Sequence, residues 1–498
     1  MFVYTVEMKR RKWAKFVCRA TLVAGVLYLV LLIPERKAAV GHRAGKQPFV
    51  WKQDPLWSEL EHQFNDARSL GCEKLASRIE AGLAELRRLL DESSGRSLPP
   101  DDPSFVSIET AFFKLAPMLG ACPQRFQDYA ALANRARAEV KKQSEHWDLN
   151  STLGRQTIYR LLFGGRMALE EVMLQAPSAA VLPQVAGDDE PSMTPAARIL
   201  GMAVHSGDIL VSRGGAPTSA LIARGNDYPG SFSHIALVHV DEKSGQASVI
   251  ESHIERGVAV ASFDEYLRDK KLRIMVLRLR ADLAAMRADP MLPHKAAMAA
   301  LAESKRRHIP YDFAMDCQDH RAQFCSEVVS AAYEETGLKL WNGTTFISSP
   351  GVTAWLGSFG VRHFETQEPA DLEYDSQVRV VAEWRDQTTL LRAHVDDAVI
   401  DVMLEDANPA GALAYSKLLL PVTRIAKGYS VVLNLLGKIG PVPEGMSATT
   451  ALRVKKYRHD HAVLAERVLA LAEEFKKSKG YTPPYWELIK LATRARQG

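Results

Sequence analysis

Acyl chemistry in this chain points first to a cysteine at 325, a histidine at 234, and the pair Glu251 and His253 that follows it. A cysteine attacks carbonyls as its thiolate, so it needs a neighbour that lowers its pKa or takes its proton. The run Gln323-Phe324-Cys325-Ser326-Glu327-Val328-Val329 reads as a helix start with Cys325 in its first turn. The positive end of the helix dipole there favours a thiolate. His234 opens the run Ser233-His234-Ile235-Ala236-Leu237-Val238, a strand by composition. A histidine base also needs an orienting partner on its second ring nitrogen. The next run, Val249-Ile250-Glu251-Ser252-His253, follows turn residues at Asp241–Gly245, so hairpin pairing brings Glu251 or His253 close to His234. Register decides between the two, and spacing alone leaves both open. Taken singly, a helix-start cysteine and a strand-edge histidine are structural more often than catalytic.

These residues must be held by a mixed α and β unit. From Gly207 to Leu279 short β-type runs alternate with turns, and helical patterns follow from Pro293 to Arg307 and from Cys325 to Thr336. Strands and helices are segregated, which predicts an α+β architecture. Upstream, a helical pattern opens at Trp57 and carries Phe64, Leu70, Leu75, Ile79, Leu83, Leu86 and Leu90, ending near Asp91–Gly95. Further helical blocks cover 104–145 and 154–175, and 175–196 reads as a linker. Downstream, Gln377–Val381 is β-like, and helical periodicity resumes from Gln387. The expected division is 1–40 signal-anchor or transmembrane segment, 50–180 helical region, 196–370 catalytic domain and 371–498 mostly helical extension.

The ordered set Ser206-Gly207-Asp208-Ile209-Leu210, Ser233-His234-Ile235-Ala236-Leu237-Val238, Val249-Ile250-Glu251-Ser252 and Gly257-Val258-Ala259-Val260 resembles the second half of the NlpC-type cell-wall cysteine peptidases. Pro310-Tyr311-Asp312-Phe313 followed by Phe324-Cys325-Ser326-Glu327 resembles their first half. In those enzymes the cysteine helix comes first, whereas here it follows the histidine strand. The inversion marks the resemblance as one to the permuted branch, the YiiX- and YebB-like papain-fold amidases, related to the lecithin:retinol acyltransferase group. The likeness covers about residues 200–365. It implies a circularly permuted papain-like domain, an antiparallel sheet plus a catalytic helix. It implies Cys325 as nucleophile, His234 as general base and Glu251 as orienter, with His253 as the alternative third residue. Tyr311 matches a tyrosine that binds substrate or the oxyanion, and Asp208 matches a turn determinant. The activity implied is thiol-dependent cleavage of an amide or ester through a thioacyl intermediate, with cell-wall peptides as one substrate class. A membrane-proximal lipid acyltransferase or lipid amidase is the alternative, and a non-catalytic papain-like binding module a third reading. The expected partners are a peptide, amide or acyl-lipid substrate and the membrane.

The remaining features bound this reading. With 498 residues, 47% hydrophobic and 24% charged, the chain has the composition of a globular protein of two or three domains. A net charge of +4 gives no argument for nucleic acid. The basic cluster Lys9-Arg10-Arg11-Lys12 precedes an apolar run from Phe16 to Pro34, which favours an uncleaved signal-anchor and an exported, periplasmic-side catalytic domain. Secretion after signal cleavage is the alternative, with Ala38-Ala39 as the nearest small-residue pair. Among five cysteines, Cys72 and Cys122 could pair in an exported protein, which sequence leaves open. Asp316, Cys317, Asp319 and His320 lack zinc spacing, and no dinucleotide or P-loop fingerprint occurs, so neither metal nor cofactor is expected.

Overall fold

The computed structural model describes residues 2–35, 47–51, 53–410 and 413–497. The Ala38-Ala39 pair lies outside them. The strands in chain order are β1 (Gln184–Ala186), β2 (Ala196–Ile199), β3 (Met202–His205), β4 (Ile209–Gly214), β5 (His234–Val240), β6 (Ala247–His253), β7 (Gly257–Ser262), β8 (Lys271–Leu279), β9 (Thr345–Phe346), β10 (Glu365–Thr366) and β11 (Val378–Arg385). Seven of them form one antiparallel sheet in the order β1-β11-β8-β4-β5-β6-β7. Mixed helix and antiparallel sheet is the α+β arrangement the sequence predicts. The sheet also draws in β1, from the segment read as a linker, and β11, which continues the β-like stretch at 377–381.

The sheet is a buried element with a helix layer on one face. Ile235 and Leu237 of β5 pack with Val329, Ala332 and Tyr333 of the helix Cys325–Glu334, and with Ala296 and Ala297 of the helix Leu292–Arg306. The alternate residues Ala236 and Val238 join Val249, Tyr266 and Val276 on the opposite face. This period of two is the pleat of a strand buried on both sides.

The upstream helical pattern breaks where Gly71 takes φ +77°, and its two halves are the helices Gln53–Leu70 and Cys72–Ser93. Only glycine enters that left-handed region without a Cβ penalty. Leu75, Ile79, Leu83, Leu86 and Leu90 are buried against Phe105, Ile108, Phe112 and Leu115 of the helix Pro103–Ala121. Cys72 and Cys122 are joined in a disulfide spanning 50 residues.

Buried ion pairs fasten the helical regions to the sheet. Arg166, on the helix Gly165–Gln175, pairs with Glu373 and reaches Glu383 of β11 at 3.0 Å. Glu170, on the same helix, pairs with Arg273 of β8 at 2.6 Å and with His394 of the helix Gln387–Ala410 at 3.0 Å. The set is fully desolvated, and each charge depends on its partner.

Among the described residues no single helix is long and apolar enough to cross a membrane. The N-terminal helix Phe2–Leu31 lies beside the helix Leu420–Leu435, and the Tyr28 hydroxyl donates to the Leu418 carbonyl in the short turn that precedes it. Arg424 donates to the carbonyls of Leu31 and Ile33.

Candidate active site

The register of β5 and β6 places the histidine and its partners. Ala236 pairs with Glu251, so His234, Glu251 and His253 fall on one face, with Glu251 diagonal to His234. The diagonal places a carboxylate within reach of the imidazole. His234 Nε2 donates to Glu251 Oε2 at 2.5 Å, while His253 Nε2 lies 3.0 Å from Glu251 Oε1. Both residues between which spacing could not choose are therefore present. Glu251 takes the position beside His234, and His253 stands on its other oxygen, its ring 5.7 Å from that of His234.

Glu251 is 1% exposed. Burial alone would raise its carboxyl, but the two imidazoles outweigh that and hold it well below the usual carboxylate range. Burial lowers His234 below the ordinary histidine range despite the opposing carboxylate. The ring is thus a neutral imidazole with its Nε2 proton fixed on Glu251, which leaves Nδ1 as the nitrogen with a free lone pair.

Cys325 is the first residue of its helix, and its thiol accepts a hydrogen bond from the backbone N–H of Ile235. The sulfur therefore rests against the peptide that follows His234. Burial pushes the thiol up to about 12, the Ile235 N–H opposing it. The helix-end thiolate expected from the dipole is overridden, because 5% exposure removes the solvation a charged sulfur requires. Glu327, one turn into the same helix, accepts from the Phe324 N–H at 2.8 Å and fixes the entry to it. Burial pushes the Glu327 carboxyl up to about 9, so it stays protonated at neutral pH, two residues beyond Cys325.

Tyr311 comes in from the loop before the helix. Burial raises its hydroxyl well above the ordinary range, and the Cys325 sulfur is close enough to add to that. Two hydrogen bonds, one within the loop and one from the sheet, position this segment. The Gln323 N–H donates to the Pro310 carbonyl at 2.9 Å, and the Ser252 hydroxyl donates to the Gln323 carbonyl at 2.6 Å. Ser252 and Gln323 are structural supports of this segment that sequence reasoning passed over, although both lie inside the motifs that carry the resemblance. Gly257, at φ +70°, lets β7 press on this loop: a Cβ there would meet the Ile309 carbonyl. The Val258 N–H donates to that carbonyl at 2.9 Å.

Asp208 sits away from the chemistry. It accepts from the His205 N–H at 2.8 Å and from Arg278 at 2.8 and 2.9 Å, closing the turn into β4. Asp316, Cys317, Asp319 and His320 disperse to separate partners, Asp319 to Arg321 and His320 to Glu334 at 3.5 Å.

The order of these parts, histidine strand before cysteine helix on one antiparallel sheet, decides the comparison. Residues 203–381 match the permuted papain-like amidase enzymes of the YaeF/YiiX, C92 family. His234, Glu251, Tyr311 and Cys325 all lie inside the matched residues, while the helical regions on either side lie outside them. No curated protein matches the chain.

Proposed function

We propose that the chain is a thiol-dependent amidase in which Cys325 attacks an amide or ester carbonyl and His234 shuttles the proton. The observation that carries this reading is the 2.5 Å bond from His234 to Glu251 next to a thiol held on the Ile235 N–H. His234 Nδ1 takes the Cys325 proton as the sulfur bonds to the carbonyl carbon. Glu251 stabilises the imidazolium that forms. The backbone N–H of Cys325, at a helix N-terminus, and the Tyr311 hydroxyl are the donors assigned to the oxyanion. His234 then protonates the leaving amine or alcohol as the C–N or C–O bond breaks. Water, deprotonated by the same ring, releases the acid and restores the thiol.

The cellular setting belongs to the proposal too. A disulfide between Cys72 and Cys122 persists in an oxidising compartment, which supports an exported catalytic domain. The apolar N-terminal helix then supports anchorage at the membrane. Cell-wall peptides are one substrate class suited to that place, and acyl lipids are the other.

The test is kinetic. Cys325→Ala should abolish release of amine or alcohol from muropeptide and acyl-lipid panels while leaving the circular dichroism spectrum intact. Full turnover by that variant would defeat the proposal. A wild-type protein whose Cys325 resists every acyl probe would favour a non-catalytic binding module.

A further inference from the structure

An apolar groove of about 590 Å³ lies between the catalytic domain and the C-terminal helices. Its size is that of a small-ligand site, commonly about 300–1,000 Å³. One wall carries Leu221, Ile222 and Phe313, and the facing wall carries Val422, Ala426 and Leu452. Tyr311 lines it as well, and its neighbour Pro310 accepts from the N–H of Gln323, two residues before Cys325, at 2.9 Å. The groove therefore reaches the loop that is bonded to the segment leading into Cys325.

Its other side opens on the surface of the helix Leu420–Leu435. Val422 lines the groove and is also 61% exposed. Next to it Ile425 is 67% exposed and Leu435 83%. The N-terminal helix, fastened to this one by Tyr28 and Arg424, presents Leu22, Val26 and Leu29 in the same exposed state. Exposed apolar side chains are thus gathered on two fastened helices, and a membrane surface is one of the settings that covers such residues. Lys455 and Arg458 are exposed at the groove and supply cations suited to anionic lipid headgroups.

We infer that the substrate is an acyl lipid, its chain passing from the bilayer along the helix Leu420–Leu435 into this groove so that its carbonyl meets Cys325. The inference rests on the thiol-hydrolase reading and specifies its substrate. Exposed apolar surface beside an apolar groove that ends on the Tyr311 loop favours a lipid over a hydrophilic muropeptide. The chemistry is unchanged: the acyl C–N or C–O bond breaks, Cys325 holds the acyl group, and His234 returns the proton to the leaving group.

The experiment uses the full chain in mixed micelles with para-nitrophenyl acetate and para-nitrophenyl dodecanoate. Each buried methylene is worth about 0.8 kcal/mol, so kcat/KM for the dodecanoyl ester should exceed that for the acetyl ester by at least about a hundredfold. Ala426→Trp and Ala451→Trp, which fill the groove from two helices, should each bring that ratio down by about tenfold or more. Equal rates for the two esters in the wild type would overturn the inference and leave the thiol hydrolase standing. A folded Ala426→Trp or Ala451→Trp protein with an undiminished ratio would overturn it as well. No turnover of either ester and no acylation of Cys325 would instead remove the hydrolase reading on which it depends. Should both variants fail to fold, the wild-type ratio alone decides.

Discussion

Cys325 lies at a helix end whose dipole favours a thiolate, yet its thiol is buried and pushed up to about 12, while burial keeps His234 neutral. The resting dyad is therefore thiol and imidazole, and the proton moves as the sulfur attacks. The active form needs unprotonated His234, whose folded pKa lies below the ordinary value of about 6.5. Activity should accordingly rise with pH along an acid limb centred below about 6.5 and then stay level through neutrality. A limb centred above 7 in a kcat/KM profile would contradict this. Glu251→Gln removes the charge that opposes desolvation of the ring, so the limb should move to lower pH. Loss of imidazolium stabilisation should also lower kcat by roughly 10²–10⁴, and steady-state rates across pH would read both effects. The proposed dyad was readable from the sequence because residue type and motif order survive without coordinates. Its protonation state was not, since burial of Cys325 depends on contacts remote in the chain. The choice between Glu251 and His253 needed a register, and His234 and His253 proved to stand on the two oxygens of the Glu251 carboxylate.

At the scale of elements, the site depends on the Ile309–Tyr311 loop being pressed between β7 and the Cys325 helix. Gly257 is the point of closest approach, with φ +70° and the Ile309 carbonyl where a Cβ would stand. Gly257→Ala should destabilise the fold by about 1–3 kcal/mol and lower kcat through displacement of Tyr311. Chemical denaturation and steady-state kinetics measure the two effects, and an unaltered kcat would detach Tyr311 from the reaction. The strands from Ile209 to Leu279 announced themselves by alternating apolar runs and turn residues. β1 did not, because Gln184-Val185-Ala186 is three residues long and exists by pairing with β11. The helix break at Gly71 was hidden for a related reason: a single glycine leaves the apolar spacing on both sides almost in phase.

Over the whole molecule, helical regions far apart in sequence meet on the sheet through buried charges, Glu170 between Arg273 and His394 and, beside it, Arg166 with Glu373 and Glu383. Hydrophobic periodicity carries no record of such pairs, and in the sequence they read as ordinary polar residues. Arg166→Met leaves two buried carboxylates without this partner and should cost about 3–5 kcal/mol, visible as a lower midpoint of thermal unfolding. The Cys72–Cys122 disulfide acts on the unfolded chain instead, so Cys72→Ser with Cys122→Ser should lose about 2–4 kcal/mol with little change in kcat. All of this scaffolding serves one sulfur. The most direct test is intact-protein and peptide mass spectrometry of protein quenched in acid during turnover of an acyl ester. The account predicts a single acyl adduct on the peptide containing Cys325, present in the wild type and lost in His234→Ala. Turnover with the adduct on another residue, or retained by Cys325→Ala, would contradict it.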